Sequence, residues 1–267
     1  MKGVLLVFVA AVSPFTVAGQ GRSSDVCAGG DESSCRPEPT WNIHDDHPCN
    51  IEILSPQDFA LAFPDGFPTY YEKPFLLRDP QRNTVFQELS KRENVPSLFV
   101  GGTTMLPEAN LFSFAKTEVS VQEFANSPEV TSWDYADKTL YMLTSLQDFS
   151  AYIPPPGLAK ISDTRIGIGS LGSGVQWHSH GPGFCEVTHG RKHWLLTDSV
   201  ERPPYNHRRP SRHWFEYSFS TYQESKIWEC TLHAGDAIYF PNKWWHTTVN
   251  LDAYTSFVTI FYDTKSS

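Results

Sequence analysis

His178-Ser179-His180 and, far downstream, His246 are the residues of this chain whose type and spacing could do chemistry. Histidines at i and i+2 on an extended strand point to one side of a sheet. A third, brought in from a distant strand, completes a facial set of three nitrogen ligands and leaves other coordination positions open. Such a set suits a divalent metal. The same three side chains also read, with no metal, as a packed and hydrogen-bonded cluster.

Strands must carry these groups. His246 closes the segment Gly235-Asp236-Ala237-Ile238-Tyr239-Phe240-Pro241-Asn242-Lys243-Trp244-Trp245-His246. Short apolar runs bounded by Gly, Pro, Asn or Asp predict strands at 74–78, 98–100, 140–143, 165–169, 174–178, 184–188, 192–197, 229–232, 236–240, 247–250 and 256–262. Ser55-Pro56-Gln57-Asp58 is a helix start: Ser55 caps, Pro56 fits the first position and Asp58 suits the N-terminal dipole. Thr84 to Gln87 and Ser120 to Glu123 have capping-box spacing for two more short helices. Residues 198–228, with Pro203-Pro204 and Arg208-Arg209-Pro210-Ser211-Arg212, read as a long polar insertion. The arginine cluster is a solvated loop or a docking point for an acidic partner.

With 267 residues, 40% of them hydrophobic, 8 Trp and 18 Phe, the chain can fill a substantial core. Its net charge of −9, with that single basic cluster, argues against nucleic acid and anionic membrane surfaces as partners. Residues 1–19 read as a signal peptide: Lys2 leads, Val4 to Val12 form the apolar run, and Ala18-Gly19 offer a cleavage site. An uncleaved anchor is the alternative, though Ser13-Pro14 interrupts the run well short of the roughly 20 residues a span needs. No transmembrane segment is expected after cleavage. Residues 20–48, rich in Gly, Ser, Asp, Pro and His, read as a flexible leader, and folded sequence is expected over 49–267. The C-terminus is not a KDEL-type retention signal.

Entry into the secretory pathway makes the 5 cysteines interpretable, because disulfides persist in oxidising compartments. The preferred pairs are Cys27–Cys35 and Cys49–Cys230, leaving Cys185 as a buried thiol, although spacing alone does not determine connectivity.

Gly172-x5-His178-x-His180, then Glu186 and Gly190, followed by Gly235-x5-Pro241-x4-His246-x3-Asn250, resembles the two motifs of a cupin, a double-stranded β-helix related to the jelly roll. Tyr71 to Arg78, Gly190-Arg191-Lys192 and the Trp244-Trp245-His246 ending resemble the JmjC subgroup of that superfamily, over roughly 51–262. Two departures stand out. Lys243 replaces the glycine usual two residues after the proline, and His180 stands where a carboxylate ligand is expected.

The resemblance implies one mainly β domain of the JmjC/cupin type with N-terminal helices packed around it. It implies Fe(II) at His178, His180 and His246, and 2-oxoglutarate held by Lys192 with Tyr141 in support. Glu186 is either a fourth, oxygen ligand or a structural partner of Arg191 or Lys192. Lys192 reads alternatively as a surface lysine on a strand. Trp244 and Trp245 read as core, and His189, His193, His207, His213 and His233 as solvated or locally satisfied.

Replacing a carboxylate by neutral imidazole removes a negative charge beside the metal and makes ferrous iron harder to oxidise. Metal binding survives that change more easily than turnover. The preferred expectation is therefore a regulatory or scaffold protein of the endoplasmic reticulum lumen that acts through a protein partner, with a structural metal or none. The alternative is an Fe(II)/2-oxoglutarate-dependent protein hydroxylase of the secretory pathway, and a zinc hydrolase is a remote third. A secreted chain does not meet chromatin, which sets histone demethylation aside.

Overall fold

The computed structural model describes residues 39–68, 70–99, 120–126, 141–145, 148–158, 161–198, 200–206, 209–222 and 226–262. The expected signal peptide, the Cys27–Cys35 pair, the strand end at Val100, His207 and Arg208 lie outside them. Among the described residues, strands run β1 Glu52–Leu54, β2 Phe75–Arg78, β3 Tyr141–Ser145, β4 Ile161–Gly169, β5 Gly174–His178, β6 Gly183–His189, β7 Lys192–Thr197, β8 Trp228–Leu232, β9 Asp236–Phe240, β10 Trp245–Asn250 and β11 Thr255–Tyr262. Helices are α1 Pro56–Ala62, α2 Thr84–Leu89, α3 Val121–Asn126 and α4 Ser211–Tyr217. No helix here is long and apolar enough to cross a membrane.

The strands form a seven-stranded sheet, β1-β2-β9-β6-β11-β4-β3, and a four-stranded sheet, β5-β10-β7-β8. Every pairing is antiparallel except β1 with β2. Two such sheets face to face are the expected jelly roll. Strand alternation sorts the side chains. On β6, Cys185 and Val187 turn toward Trp194, Leu196 and Leu232 of the small sheet. Phe184, one residue before Cys185, turns outward onto Phe59, Phe67 and Phe75. On β11, Phe257 joins the inner cluster while Val258 and Ile260 pack beneath α2 and α3 with Phe86 and Phe124. Burying these apolar faces, at roughly 1.5–3 kcal/mol per large side chain, is what holds the sheets together.

Ser55 caps α1 as expected, with Asp58 returning the bond to complete a capping box, and Ser120 and Glu123 form the expected capping box on α3. Thr84 does not cap. It is the first helical residue of α2, and Asn83, in the cap position, gives its side chain to Glu186 and Ile153 instead. No strand forms over the described part of 98–100: Leu98 is the last residue of a 3-10 turn, Val95–Leu98, started by Pro96, and Phe99 caps it. The polar insertion contains a helix: α4 buries Ser211, Trp214 and Phe215, at i, i+3 and i+4, against the outer face of the small sheet.

The flexible leader expected over 20–48 ends earlier than that. Trp41 and Ile43 are buried with Trp177, Leu195 and Phe215, and the Thr40 amide bonds the Glu216 carbonyl. Two large apolar side chains suffice to fasten this otherwise polar stretch to α4. The Cys49–Cys230 disulfide ties the same segment to β8, and Cys185 is a free, buried thiol.

Candidate metal centre and its pocket

His178 is the last residue of β5 and pairs across the ladder with His246 at the start of β10. His180 lies just beyond the strand, in the turn to β6, where its carbonyl accepts the Lys243 amide at 2.9 Å. Lys243 occupies the left-handed region, with φ 64°. That is the conformation glycine adopts most easily, so lysine keeps the turn of the cupin motif at a conformational cost of about 1–2 kcal/mol. The two departures from the cupin pattern thus touch each other through one hydrogen bond.

One ring nitrogen from each of His178, His180 and His246 lies within 4.8 Å of the other two. Each Nδ1 faces a main-chain carbonyl: Gln176 for His178 at 2.7 Å, Gly181 for His180 at 2.8 Å and Trp244 for His246 at 3.0 Å. A carbonyl oxygen can only accept, so each Nδ1 carries the proton and each Nε2 keeps its lone pair. The Nε2 atoms of His180 and His246 are 3.2 Å apart. Two lone pairs at that separation repel unless a cation lies between them. With metal–nitrogen bonds of about 2.1 Å, two ligands at roughly 90–110° sit about 3.0–3.4 Å from each other, so this spacing fits a shared ion. Burial lowers the pKa of all three rings, to about 4 for His178, where the neighbouring His180 adds to the effect. They are therefore neutral ligands at physiological pH.

Aromatic rings wall the triad. Trp194 and Phe240 stack on His246, at centroid distances of 5.5 and 5.3 Å, and Phe261 stands edge-on to His180 at 5.0 Å. The triad opens into a cavity of about 330 Å³ that also contains Tyr141, Arg165, Cys185, Lys192, Phe257 and Thr259. Lys192 is not a surface lysine. Its Nζ donates to Asn250 Oδ1 at 3.0 Å, and lies 4.2 Å from the centre of the Phe257 ring and 5.4 Å from that of Tyr141. Burial pulls its pKa down to about 8 and pushes that of Cys185 up to about 11, while Tyr141 is held in its neutral form. Gly167 makes this arrangement possible, because any Cβ there would overlap the Phe257 ring that covers the amine.

Glu186 is not a ligand. It points out of the opposite face of β6 from Cys185, fully buried, and binds Arg82, the Asn83 amide at 3.0 Å and the Tyr152 hydroxyl at 2.9 Å. Nor does it pair with its expected neighbours, since Arg191 bonds Asp252 and Lys192 bonds Asn250. Alternation along β6 sends Cys185 into the cavity with the histidines and Glu186 away from it. Trp244 packs on Trp228 at 4.8 Å and Trp245 joins the cluster beneath α4. His189 bonds the Gln87 carbonyl, His193 contacts Thr231 and Glu229, His213 packs on Tyr217 and His233 neighbours Asp236. Arg165, which lines the mouth, was not singled out by any sequence motif. Its signal lay in the odd-numbered face it shares with Gly167 on β4.

Residues 72–267 match the profile of a family described as the cupin-like domain. The chain is 35% identical over 193 residues to JmjC domain-containing protein 8 of Rattus norvegicus, covering 67% of this chain and 71% of that one. The protein of the same name from Homo sapiens is 29% identical over 231 residues, covering 81% and 85%. A third relative, the arginine-specific demethylase JMJ22 of Arabidopsis thaliana, is 30% identical over 100 residues, 32% of this chain and 20% of that one.

Proposed function

The chain belongs to the cupin-like (JmjC) domain family, and from that premise we propose that it is a metal-binding regulatory protein of the secretory pathway. It acts on a protein partner in the lumen of the endoplasmic reticulum through the state of its three-histidine pocket. The observation that carries this reading is the 3.2 Å approach of two Nε2 lone pairs whose rings are both held by carbonyls. All three donors are neutral, so a divalent ion here keeps its full charge and favours holding an anion over oxidation. The Cys49–Cys230 disulfide supports an oxidising compartment.

A second reading, an Fe(II)/2-oxoglutarate-dependent protein hydroxylase, is favoured by Lys192, whose amine is buried in the same cavity with Tyr141 beside it. In that reading His178, His180 and His246 hold the iron. Lys192 pairs with the far carboxylate, and Trp194, Phe240 and Phe257 exclude water. Bound iron would let dioxygen act as the oxidant, with one oxygen atom going to the substrate hydroxyl and the other to the succinate formed as 2-oxoglutarate is decarboxylated. The similarity to a protein named as an arginine-specific demethylase covers too little of either chain to bring a substrate with it.

Metal analysis of the lumenal domain, followed by succinate release with iron, ascorbate and 2-oxoglutarate, separates the two. Stoichiometric metal without succinate supports the regulatory protein. Metal with succinate release, lost in His246→Ala, supports the hydroxylase. Folded protein that binds no metal overturns both. Restoring a carboxylate with His180→Asp should raise succinate release if the missing charge is what suppresses turnover.

A further inference from the structure

We propose that Arg165 selects the ligand of this pocket: it receives an acidic side chain of a peptide or protein partner, and cationic side chains are turned away. The inference rests on the pocket being the binding site named above, and it adds the class of partner that the site accepts.

Arg165 faces the interior of the jelly roll because β4 alternates. Ile166 and Ile168 point outward beneath the helices, while Gly167 lies on the inner face against Phe257. The guanidinium sits over the Phe261 ring, 6.0 Å from its centroid, and that ring is the one edge-on to His180. Arg165 is therefore one aromatic ring away from the metal-ligand triad, at the mouth of the cavity that both line.

Only part of its hydrogen-bonding capacity is used. Nε donates to Asp163 Oδ2 at 2.6 Å, and neither terminal nitrogen bonds any described residue. The side chain is 44% exposed, so the free edge of its fork is open to an incoming group. A planar guanidinium with unused donors matches a carboxylate.

The charges around it point the same way. Among the described residues lining the cavity, the formal charges are Lys192 and Arg165, and there is no Asp or Glu. The nearest carboxylate, Asp163, lies two residues outward on the same strand face and outside the lining. The three imidazoles contribute no negative charge to offset a metal. A lysine or arginine side chain entering this cavity meets like charge at the mouth and at the base, inside aromatic walls that screen poorly. An acidic one meets opposite charge at both, and Asp163 occupies only the Nε side of the Arg165 fork.

The test uses the mature chain, metal-free and loaded with Co(II). Three fluorescent, end-blocked pentapeptides that differ only in a central Glu, Gln or Lys are titrated by anisotropy. The Glu peptide should bind on the order of tenfold more tightly than the Gln peptide, as a charge-assisted hydrogen bond implies, with Lys weakest. R165Q should remove the difference between Glu and Gln, R165E should favour Lys, and R165K should keep the order with weaker binding. Equal affinities, no measurable binding of the Glu peptide, or an unchanged order in R165Q would overturn the proposal. The cobalt absorption band reads the metal site separately. If wild-type protein takes up no cobalt, the metal reading fails, and the ranking in metal-free protein still decides the role of Arg165.

Discussion

The Nε2 atoms of His180 and His246 face each other at 3.2 Å with their lone pairs opposed, because both rings give their only proton to a main-chain carbonyl. An ion that settles between them binds the folded chain alone. Zinc or cobalt at about 100 times its dissociation constant should therefore stabilise the protein by roughly 2.7 kcal/mol. Urea unfolding with and without metal measures this. The increment should vanish in His246→Ala, and its persistence there would place the ion elsewhere.

Metal-free protein should lose stability as the pH falls from about 6.5 toward 4. Burial holds the His178 pKa down at about 4, and those of His180, His246, His193 and His47 shift in the same direction. In that window the unfolded chain takes up protons that the folded chain refuses, so acid favours unfolding. Denaturation midpoints at pH 7.5 and 5.0 should differ accordingly. Equal midpoints would mean that these rings are already protonated in the fold.

Glu186→Ala should cost about 3–5 kcal/mol, since it takes the close counter-charge from buried Arg82 and leaves only Asp79, 4.0 Å away. Metal affinity should stay near that of the wild type, because the carboxylate lies on the far face of β6. A stable variant that had lost its metal would return Glu186 to the ligand set.

Gly167→Ala should destabilise by about 1–3 kcal/mol through overpacking against Phe257. Moving that ring exposes Lys192 to solvent, so the amine pKa should climb from about 8 toward its usual value. NMR titration of labelled lysine reads the shift directly. An unmoved resonance would show that Phe257 is not what desolvates the amine.

Reducing the Cys49–Cys230 disulfide, or replacing Cys230 by Ser, should cost about 2–5 kcal/mol, since the bridge joins positions 181 residues apart. Loosening should be strongest around Trp41 and Ile43. Hydrogen exchange at the Thr40 and Asn50 amides, bonded to Glu216 and Glu229, reports it.

The strands that carry the triad were legible because their signals are local. Gly172 and Gly174 punctuate the start of β5, Pro241-Asn242 and Asn250 bound β10, and the serine caps of two helices are visible as short motifs. What escaped depends on partners distant in the chain. Glu52–Leu54 is half exposed, lacks alternation and is a strand only because β2 runs beside it. Trp214 and Phe215 sit in a polar stretch whose helix is stabilised by the sheet beneath it. Glu186 was ambiguous because a turn of three residues, Gly181-Pro182-Gly183, resets the parity of β6 after the histidines. Thr84 read as the cap of α2, whereas Asn83 takes that position and its side chain serves a carboxylate about a hundred residues on in sequence.

The hydrogen bond from the Lys243 amide to the His180 carbonyl joins the two positions where this chain departs from the cupin pattern. Neither substitution should then be read singly. A glycine at 243 would relax the turn that aims His180, and a carboxylate at 180 would place a shorter side chain on a support shaped for imidazole. The two sites should be epistatic. The double variant Lys243→Gly, His180→Asp should differ from the sum of its parts, and any history that changed one position would have altered the selection acting on the other.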